Sequence, residues 1–262
     1  MRSQCIPLTA VLISLLVSVP LRAGDPMLAE LFAEHEVEGT IVIRSMASRQ
    51  SFIHNEARAN RRFSPASTFK ITNTLIAVDE EVASGTDHPF EWDGQERSFA
   101  SWNRDQTLDS AFRVSCVWCF QQLASQVGAQ AYRQQLDRLD YGQLSDIFEE
   151  TLFWLDGSLQ ISALEQIDFL QGVYQRAFPL SQHSYETLRQ VMLAEQTDDF
   201  SLWAKTGWAA RMEPQVGWYV GYVETEDDVW LFATNIEIRD PQDLPKRQQL
   251  TRQALQIKGI MD

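Results

Sequence analysis

The sequence predicts an α+β fold, in which an antiparallel sheet is built from both termini, is flanked by helices and carries an inserted helical lobe. Three observations support this prediction. Strand-like alternation occurs near the amino terminus, helical periodicity dominates the middle, and alternation returns before a final helix. Because strands and helices occur in separate runs, the pattern disfavours alternating βαβ units. The 262 residues suit one large domain.

Residues 1–23 are predicted to be a cleaved signal peptide. Arg2 gives a positive start, the run 6–20 is largely apolar, and Ala23 is a small residue at the expected cleavage site. This apolar run is shorter than the length that a transmembrane helix usually needs. Cys5 precedes it, so we expect no membrane anchor. The expected location is the periplasm or the exterior of the cell.

Residues 24–262 are predicted to form one domain, with a sheet lobe at about 24–62 and 196–262 and a helical lobe at about 63–195. Strands are predicted at 39–46, 51–55, 201–205, 215–224 and 229–238. Helices are predicted at 27–36, 68–82, 120–139, 163–176, 185–195 and 248–258, with a loop at 84–103. Both ends of the chain therefore supply strands to the sheet.

Charge and histidine content exclude several classes of function. The formal net charge is −14 and no basic run is present, so neither nucleic acid nor an anionic membrane is an expected partner. None of the four histidines has a partner at metal-ligand spacing, and we expect no metal. A G-x-S-x-G motif is absent, which argues against an ordinary α/β-hydrolase. A serine enzyme here needs a base other than histidine.

Lysine is the scarce basic residue, with four lysines against eighteen arginines. Unlike arginine, a buried lysine can lose its proton. Lys70 follows Ser67 by three residues at a predicted helix start, where positions i and i+3 share a face. A neutral amine at Lys70 could therefore take the proton of the Ser67 hydroxyl. Taken alone, Ser67 is equally compatible with an ordinary N-cap or first-turn serine.

Three further motifs have ordinary structural interpretations when each is taken alone. They are Lys205-Thr206-Gly207 before Trp208 in a strand-like segment, Ser115-Cys116-Val117 at the opening of a helical stretch, and Tyr141-Gly142 after a helix. A strand end, an N-cap and a glycine helix stop would explain them. Gly207 would also let a ligand approach the backbone closely.

Cys116 and Cys119 form a C-x-x-C motif that the sequence leaves open. The spacing suggests redox chemistry, whereas two small apolar residues on one helix face would have the same spacing. An oxidising compartment would permit a bridge between them.

Taken jointly and in order, the four motifs resemble those of the class D serine β-lactamases, the oxacillinases. The resemblance covers nearly all of the mature chain, including Phe153-Trp154-Leu155 and the segment 217–221. It implies a fold like that of serine β-lactamases and penicillin-binding transpeptidases. One position departs from the family pattern, because Gln143 follows Tyr-Gly where the family usually has asparagine. The departure bears on local loop contacts and substrate preference.

The resemblance implies that Ser67 is the nucleophile of an acyl-enzyme and that Lys70, as N6-carboxylysine, is the general base. Carbon dioxide adds only to a neutral amine, so burial must lower the pKa of Lys70. Carbon dioxide or bicarbonate is then the only small-molecule requirement. Trp154 would donate a hydrogen bond to the carbamate. The apolar residues expected to bury the lysine are Phe69, Val117, Phe120, Trp154 and Leu155.

The remaining roles implied by the resemblance concern the β-lactam substrate. Ser115 would relay a proton to the leaving nitrogen, and Lys205 would keep the site positive. The backbone N–H groups of Ser67 and Trp208 would form the oxyanion hole. Thr206 and Arg247 would bind the substrate carboxylate, with Arg252 as the alternative arginine. Val117 and Gly207 complete the predicted substrate-binding residues.

Three other functions compete with this interpretation. A penicillin-binding peptidase shares the S-x-x-K and K-T-G motifs, and a non-turnover β-lactam sensor shares most of the pattern. The Trp154 segment favours the lactamase over the peptidase, and a sensor would be tethered to a membrane signalling part. A redox protein using the C-x-x-C motif lacks a thioredoxin-like setting. Oligomeric state and the preferred β-lactams, including carbapenems, are not readable from the sequence.

Overall fold

A computed structural model describes residues 24–261. Its strands are β1 Gly39–Ser45, β2 Ser51–His54, β3 Pro89–Phe90, β4 Gln106–Thr107, β5 Gln143–Leu144, β6 Leu159–Gln160, β7 Leu193–Gln196, β8 Phe200–Ala209, β9 Gln215–Thr225 and β10 Val229–Ile238. Its α-helices are α1 Pro26–Glu34, α2 Glu56–Ala59, α3 Lys70–Asp79, α4 Leu108–Arg113, α5 Val117–Val127, α6 Ala129–Arg138, α7 Ala163–Tyr174, α8 Gln182–Met192 and α9 Lys246–Ile257. Three 3-10 turns lie at Ala66–Phe69, Ala100–Trp102 and Pro241–Asp243.

Six strands form one antiparallel sheet in the order β2-β1-β10-β9-β8-β7. The pairing of Gly39 with Ile236 joins the amino-terminal hairpin to the carboxy-terminal strands. The predicted α+β class, with a sheet built from both termini, is therefore confirmed.

Alternate residues of the central strands face two different apolar clusters, as the pleat of a strand requires. Ile41 and Phe232 pack with the terminal helices α1 and α9. Val42 and Trp218 face the opposite way, into the larger cluster of the helical lobe. Both faces of the sheet are thus covered, which explains why its central strands are apolar almost throughout.

Two predicted helices differ from the observed ones. The helix expected at 120–139 is two helices, α5 and α6, because Gly128 adopts a φ of 80° that interrupts the regular backbone. The helix expected at 185–195 ends at Met192, since Leu193–Gln196 pairs with β8 as the edge strand β7. The carboxy-terminal part of the sheet lobe therefore begins at residue 193 and not at about 196. Strand pairing depends on tertiary structure, which the helical periodicity of the sequence does not reveal.

The predicted signal peptide at 1–23 lies outside the described residues. Between residues 24 and 261, no helix is long and apolar enough to cross a membrane. The same residues contain no group of three or more His, Cys, Asp or Glu side chains arranged to hold a metal ion.

Candidate active site

The segment that carries Ser67 is a 3-10 turn leading directly into α3. It is held in place by the carbonyl of Trp154, which accepts hydrogen bonds from the Ala66 N–H at 3.0 Å and the Ser64 hydroxyl at 2.8 Å. Ala66 has a φ of 48°, an uncommon conformation for a residue with a Cβ. These contacts leave the Ser67 side chain half-buried at the edge of a cavity.

Lys70 lies directly beneath Ser67 and is 1% exposed. Its Nζ is 3.2 Å from the Ser67 Oγ and 4.8 Å from the centre of the Phe120 ring. Because burial removes the ammonium form from water, it lowers the pKa of Lys70 to about 7. A substantial fraction of the amine is therefore neutral at neutral pH and within reach of the serine proton.

Trp154 packs into the same apolar region, with its ring stacked on Phe69 at a centroid distance of 5.5 Å. The residue is fully buried, and its indole N–H has no hydrogen-bond partner among the described residues. Buried N–H groups nearly always have a hydrogen-bond partner. The unpaired indole N–H of Trp154 is therefore available to an acceptor group.

Ser115 and Lys205 come from opposite lobes and meet at the cavity. Ser115 connects α4 to α5, and its hydroxyl accepts a hydrogen bond of 2.5 Å from the Lys205 Nζ. Lys205, on β8, also donates to the Thr206 carbonyl at 3.0 Å. Burial lowers the pKa of Lys205, and the nearby cations Lys70 and Arg247 lower it further. The pair joins a hydroxyl to a buried lysine whose pKa lies well below its usual value.

Gly207 allows β8 to approach the serine turn. A Cβ at this position would lie 2.9 Å from the Pro65 carbonyl oxygen and 3.0 Å from the Thr68 Cγ2. Any larger side chain would therefore push the strand away. Trp208, the next residue of β8, and Ser67, in the serine turn, both line the cavity.

The cavity has a volume of about 300 Å³. Its lining residues are Ser67, Phe99, Trp102, Arg113, Val114, Ser115, Thr206, Gly207, Trp208, Leu244 and Arg247. Of the other predicted site residues, Lys70, Lys205 and Trp154 are buried in the surrounding wall, and Val117 is half-buried in the first turn of α5.

Sequence reasoning missed the apolar wall of the cavity. Phe99 is 50% exposed and packs against Trp102 at a centroid distance of 4.7 Å, within the segment predicted to be a loop. Val114 and Leu244 are also in the lining. Phe99 and Trp102, two of four aromatic residues in the segment 84–103, were the available signal, since exposed aromatic rings commonly mark binding surfaces.

Arg113, which is paired with Asp109, and Arg247, in the first turn of α9, both line the cavity. The Arg247 Nη1 donates to the Gly207 carbonyl at 2.6 Å, and its buried Nε has no hydrogen-bond partner within residues 24–261. Burial lowers its pKa to about 10, so the group stays charged at neutral pH. The alternative, Arg252, is paired with Glu195 and lines a different cavity.

The departure at Gln143 lies on the surface. Its side-chain oxygen accepts a 2.7 Å hydrogen bond from Arg62, which is also paired with Glu165. Gln143 is exposed and is not a lining residue of the cavity.

The two cysteines of the C-x-x-C motif are joined by a disulfide. Both residues are fully buried, and Cys116 is the N-cap of α5. The bridge therefore lies immediately after Ser115.

Comparison with known protein families and sequences identifies one matching family and several relatives of this chain. Residues 38–256 match the family model of the penicillin-binding protein transpeptidase domain. The beta-lactamase OXA-48 of Klebsiella pneumoniae is 41% identical over 230 residues, covering 88% of this chain and 87% of that protein. The beta-lactamase OXA-20 of Pseudomonas aeruginosa is 39% identical over 228 residues, covering 86% of this chain and 84% of that protein.

Solved structures agree with these sequence relatives. The class D beta-lactamase YbXI from Nostoc superposes with a TM-score of 0.87 at 38% identity, covering 89% of this chain and 99% of that chain. The class D beta-lactamase FUS-1 from Fusobacterium nucleatum gives a TM-score of 0.89 at 33% identity, covering 92% and 100% respectively.

Proposed function

The chain belongs to the class D β-lactamases of the penicillin-binding transpeptidase family, and we propose that it hydrolyses the β-lactam ring through an acyl-enzyme on Ser67. One observation carries the proposal. The Nζ of Lys70, a buried lysine with a pKa of about 7, lies 3.2 Å from the Ser67 Oγ. A serine beside an amine that is neutral in part has a base for its proton.

In the proposed first step, the Ser67 Oγ attacks the β-lactam carbonyl carbon while its proton passes to the base at Lys70. The backbone N–H groups of Ser67 and Trp208 stabilise the oxyanion. The carbon–nitrogen bond of the ring then breaks, and the nitrogen takes, through the Ser115 hydroxyl, the proton that the base at Lys70 had accepted from Ser67. The Ser115 hydroxyl is hydrogen-bonded to Lys205. In the second step, water attacks the ester carbonyl while the base at Lys70 accepts a proton from that water. The ester bond breaks, the base returns this proton to the Ser67 Oγ, and the ring-opened acid is released.

The residues around Lys70 fit the carbamate that the family implies. The amine is neutral in part, its surroundings are apolar, and the buried N–H of Trp154 has no partner in the described part of the chain. Lys70 would carry the carbamate and Trp154 would donate a hydrogen bond to it. When present, the carbamate supplies an anionic oxygen base beside Ser67.

Dependence on carbon dioxide is the first prediction. Holding the enzyme well below pH 7 in degassed buffer protonates Lys70 and should remove most activity, because an ammonium cannot add carbon dioxide. Bicarbonate at neutral pH should restore it, and a chelator should leave the rate unchanged. The measurements are turnover before and after bicarbonate and carbon-13 NMR with labelled bicarbonate.

The NMR signal of the carbamate must be absent from a Lys70→Ala variant. Full activity without bicarbonate, together with no carbamate signal in the parent, would mean that Lys70 acts as a free amine.

Arg247→Ala should raise KM by about 10–100-fold, because a charge-assisted hydrogen bond contributes roughly 1.5–3 kcal/mol. The rate of acyl-enzyme breakdown should change much less, since the carboxylate contact is made at binding. Arg252→Ala is the matched control and should leave KM unchanged. The opposite pattern in steady-state kinetics would transfer the carboxylate role to Arg252.

Hydrolysis of a chromogenic cephalosporin by the purified chain tests the proposed function. Continuous turnover is the expected result, whereas a single burst would indicate a penicillin-binding peptidase or a β-lactam sensor. The proposed location is the periplasm or the cell exterior, where a β-lactamase meets its substrate. It is supported by the leader-like composition of residues 1–23.

A further inference from the structure

The backbone at Ser115 is held in an uncommon conformation. Its φ is 55°, in the left-handed region that disfavours residues with a Cβ. Such conformations persist only where the surroundings impose them. On the amino-terminal side, the N–H groups of Ser115 and Cys116 bond to the carbonyls of Phe112 and Ala111, at 3.2 and 2.9 Å, and close the end of α4.

On the carboxy-terminal side, the constraint is the disulfide. Cys116 is the N-cap of α5, and its Sγ accepts the Cys119 N–H at 3.3 Å while bonded to the Cys119 sulfur. The bridge thus fastens the residue after Ser115 to the first turn of α5. Ser115 is confined between two anchored helix ends.

Two other roles for the bridge fit the structure less well. Both cysteines are 0% exposed, whereas a disulfide that exchanges with partner thiols must be accessible. The bridge spans a sequence separation of only three, and the stabilisation from constraining an unfolded chain grows with loop length. Its main effect is therefore local.

We propose that the Cys116–Cys119 disulfide is a positioning element for Ser115, which holds the Ser115 hydroxyl against Lys205 for proton delivery to the leaving nitrogen. This inference rests on the proposed function. It assigns the C-x-x-C motif to the same reaction, through geometry rather than through redox chemistry.

A double-mutant cycle tests this role. The variant Cys116→Ser/Cys119→Ala removes the bridge and keeps a hydroxyl able to cap α5. We would measure the rate constant for acylation of Ser67 by quenched-flow mass spectrometry, with and without Ser115→Ala. Peptide mapping of the unreduced parent must first show the Cys116–Cys119 bridge, and two free thiols would overturn the proposal.

Loss of the bridge should slow acylation about tenfold when Ser115 is present, because small misplacements of catalytic groups are costly. The same change should alter the rate less than about twofold in the Ser115→Ala background, since the two sites are coupled. Leu123→Ala, which removes buried packing from the same helix, is the control and should reduce the rate equally in both backgrounds.

Equal losses from the cysteine change in both backgrounds would mean a purely structural bridge and would overturn the positioning role alone. A parent enzyme that is never acylated would overturn the proposed function as well. If the cysteine variant failed to fold, Cys119→Ser, which also breaks the bridge and leaves the Cys116 sulfur to cap α5, would be compared in the same two backgrounds.

Discussion

Ser67→Ala is expected to abolish β-lactam hydrolysis, with kcat falling by about 10⁶-fold, as in other serine hydrolases that lose the nucleophile. The physical reason is that no other hydroxyl lies beside the Lys70 Nζ in the hydrogen bonds of the described residues. Steady-state kinetics with a chromogenic cephalosporin measures the loss, and thermal unfolding checks that the fold is kept.

Ser64→Ala is the matched control for this variant. It removes a hydroxyl three residues upstream, whose hydrogen bond goes to the Trp154 carbonyl and which does not line the cavity. Its effect on kcat should be small beside that of Ser67→Ala. A Ser67→Ala enzyme that kept the parent rate would show that the nucleophile is wrongly assigned.

Trp154→Ala is expected to trap the acyl-enzyme, with breakdown of the ester slowed by about 10²–10⁴-fold, the usual contribution of general base catalysis. Removing the indole takes away the unpaired N–H that we assign to the carbamate of Lys70 and admits water to an apolar region. Lys70 then returns toward an ammonium, which cannot activate water. Acylation should survive at a reduced rate.

Trp154→Phe separates the hydrogen bond from the packing, because phenylalanine retains an aromatic ring against Phe69 but has no N–H. It should lose most of the deacylation rate. Trp203→Phe, which removes an indole N–H bonded to the Arg189 carbonyl, is the control and should keep the parent deacylation rate. Rapid deacylation by Trp154→Phe would remove Trp154 from the chemistry and leave it a packing role.

Local patterns account for the parts of the fold that the sequence predicted well. The strand Val229–Ile238 has its predicted limits because alternation and the turn before it are both local signals. The break at Gly128 was missed because apolar periodicity continues across it. The edge strand at Leu193–Gln196 was missed because its pairing with β8 depends on tertiary structure.

In the candidate site too, local sequence patterns predict some contacts and tertiary structure determines the others. The contact between Ser67 and Lys70 follows from i, i+3 spacing alone. The contact between Ser115 and Lys205 joins residues 90 positions apart, and the family resemblance implied only that both act at the site. The exposed Phe99 and its half-buried neighbour Trp102 belong to a segment whose course no periodic pattern describes, so the apolar wall became visible only in the structure.

The formation and loss of an ester on Ser67 can be followed directly by intact-mass spectrometry of the enzyme mixed with penicillin. The expected result is an adduct equal to the mass of the whole penicillin, which maps to Ser67, disappears as the substrate is consumed and never forms on Ser67→Ala. Hydrolysis of penicillin without any adduct, or an adduct that persists on Ser67→Ala, would contradict the acyl-enzyme mechanism.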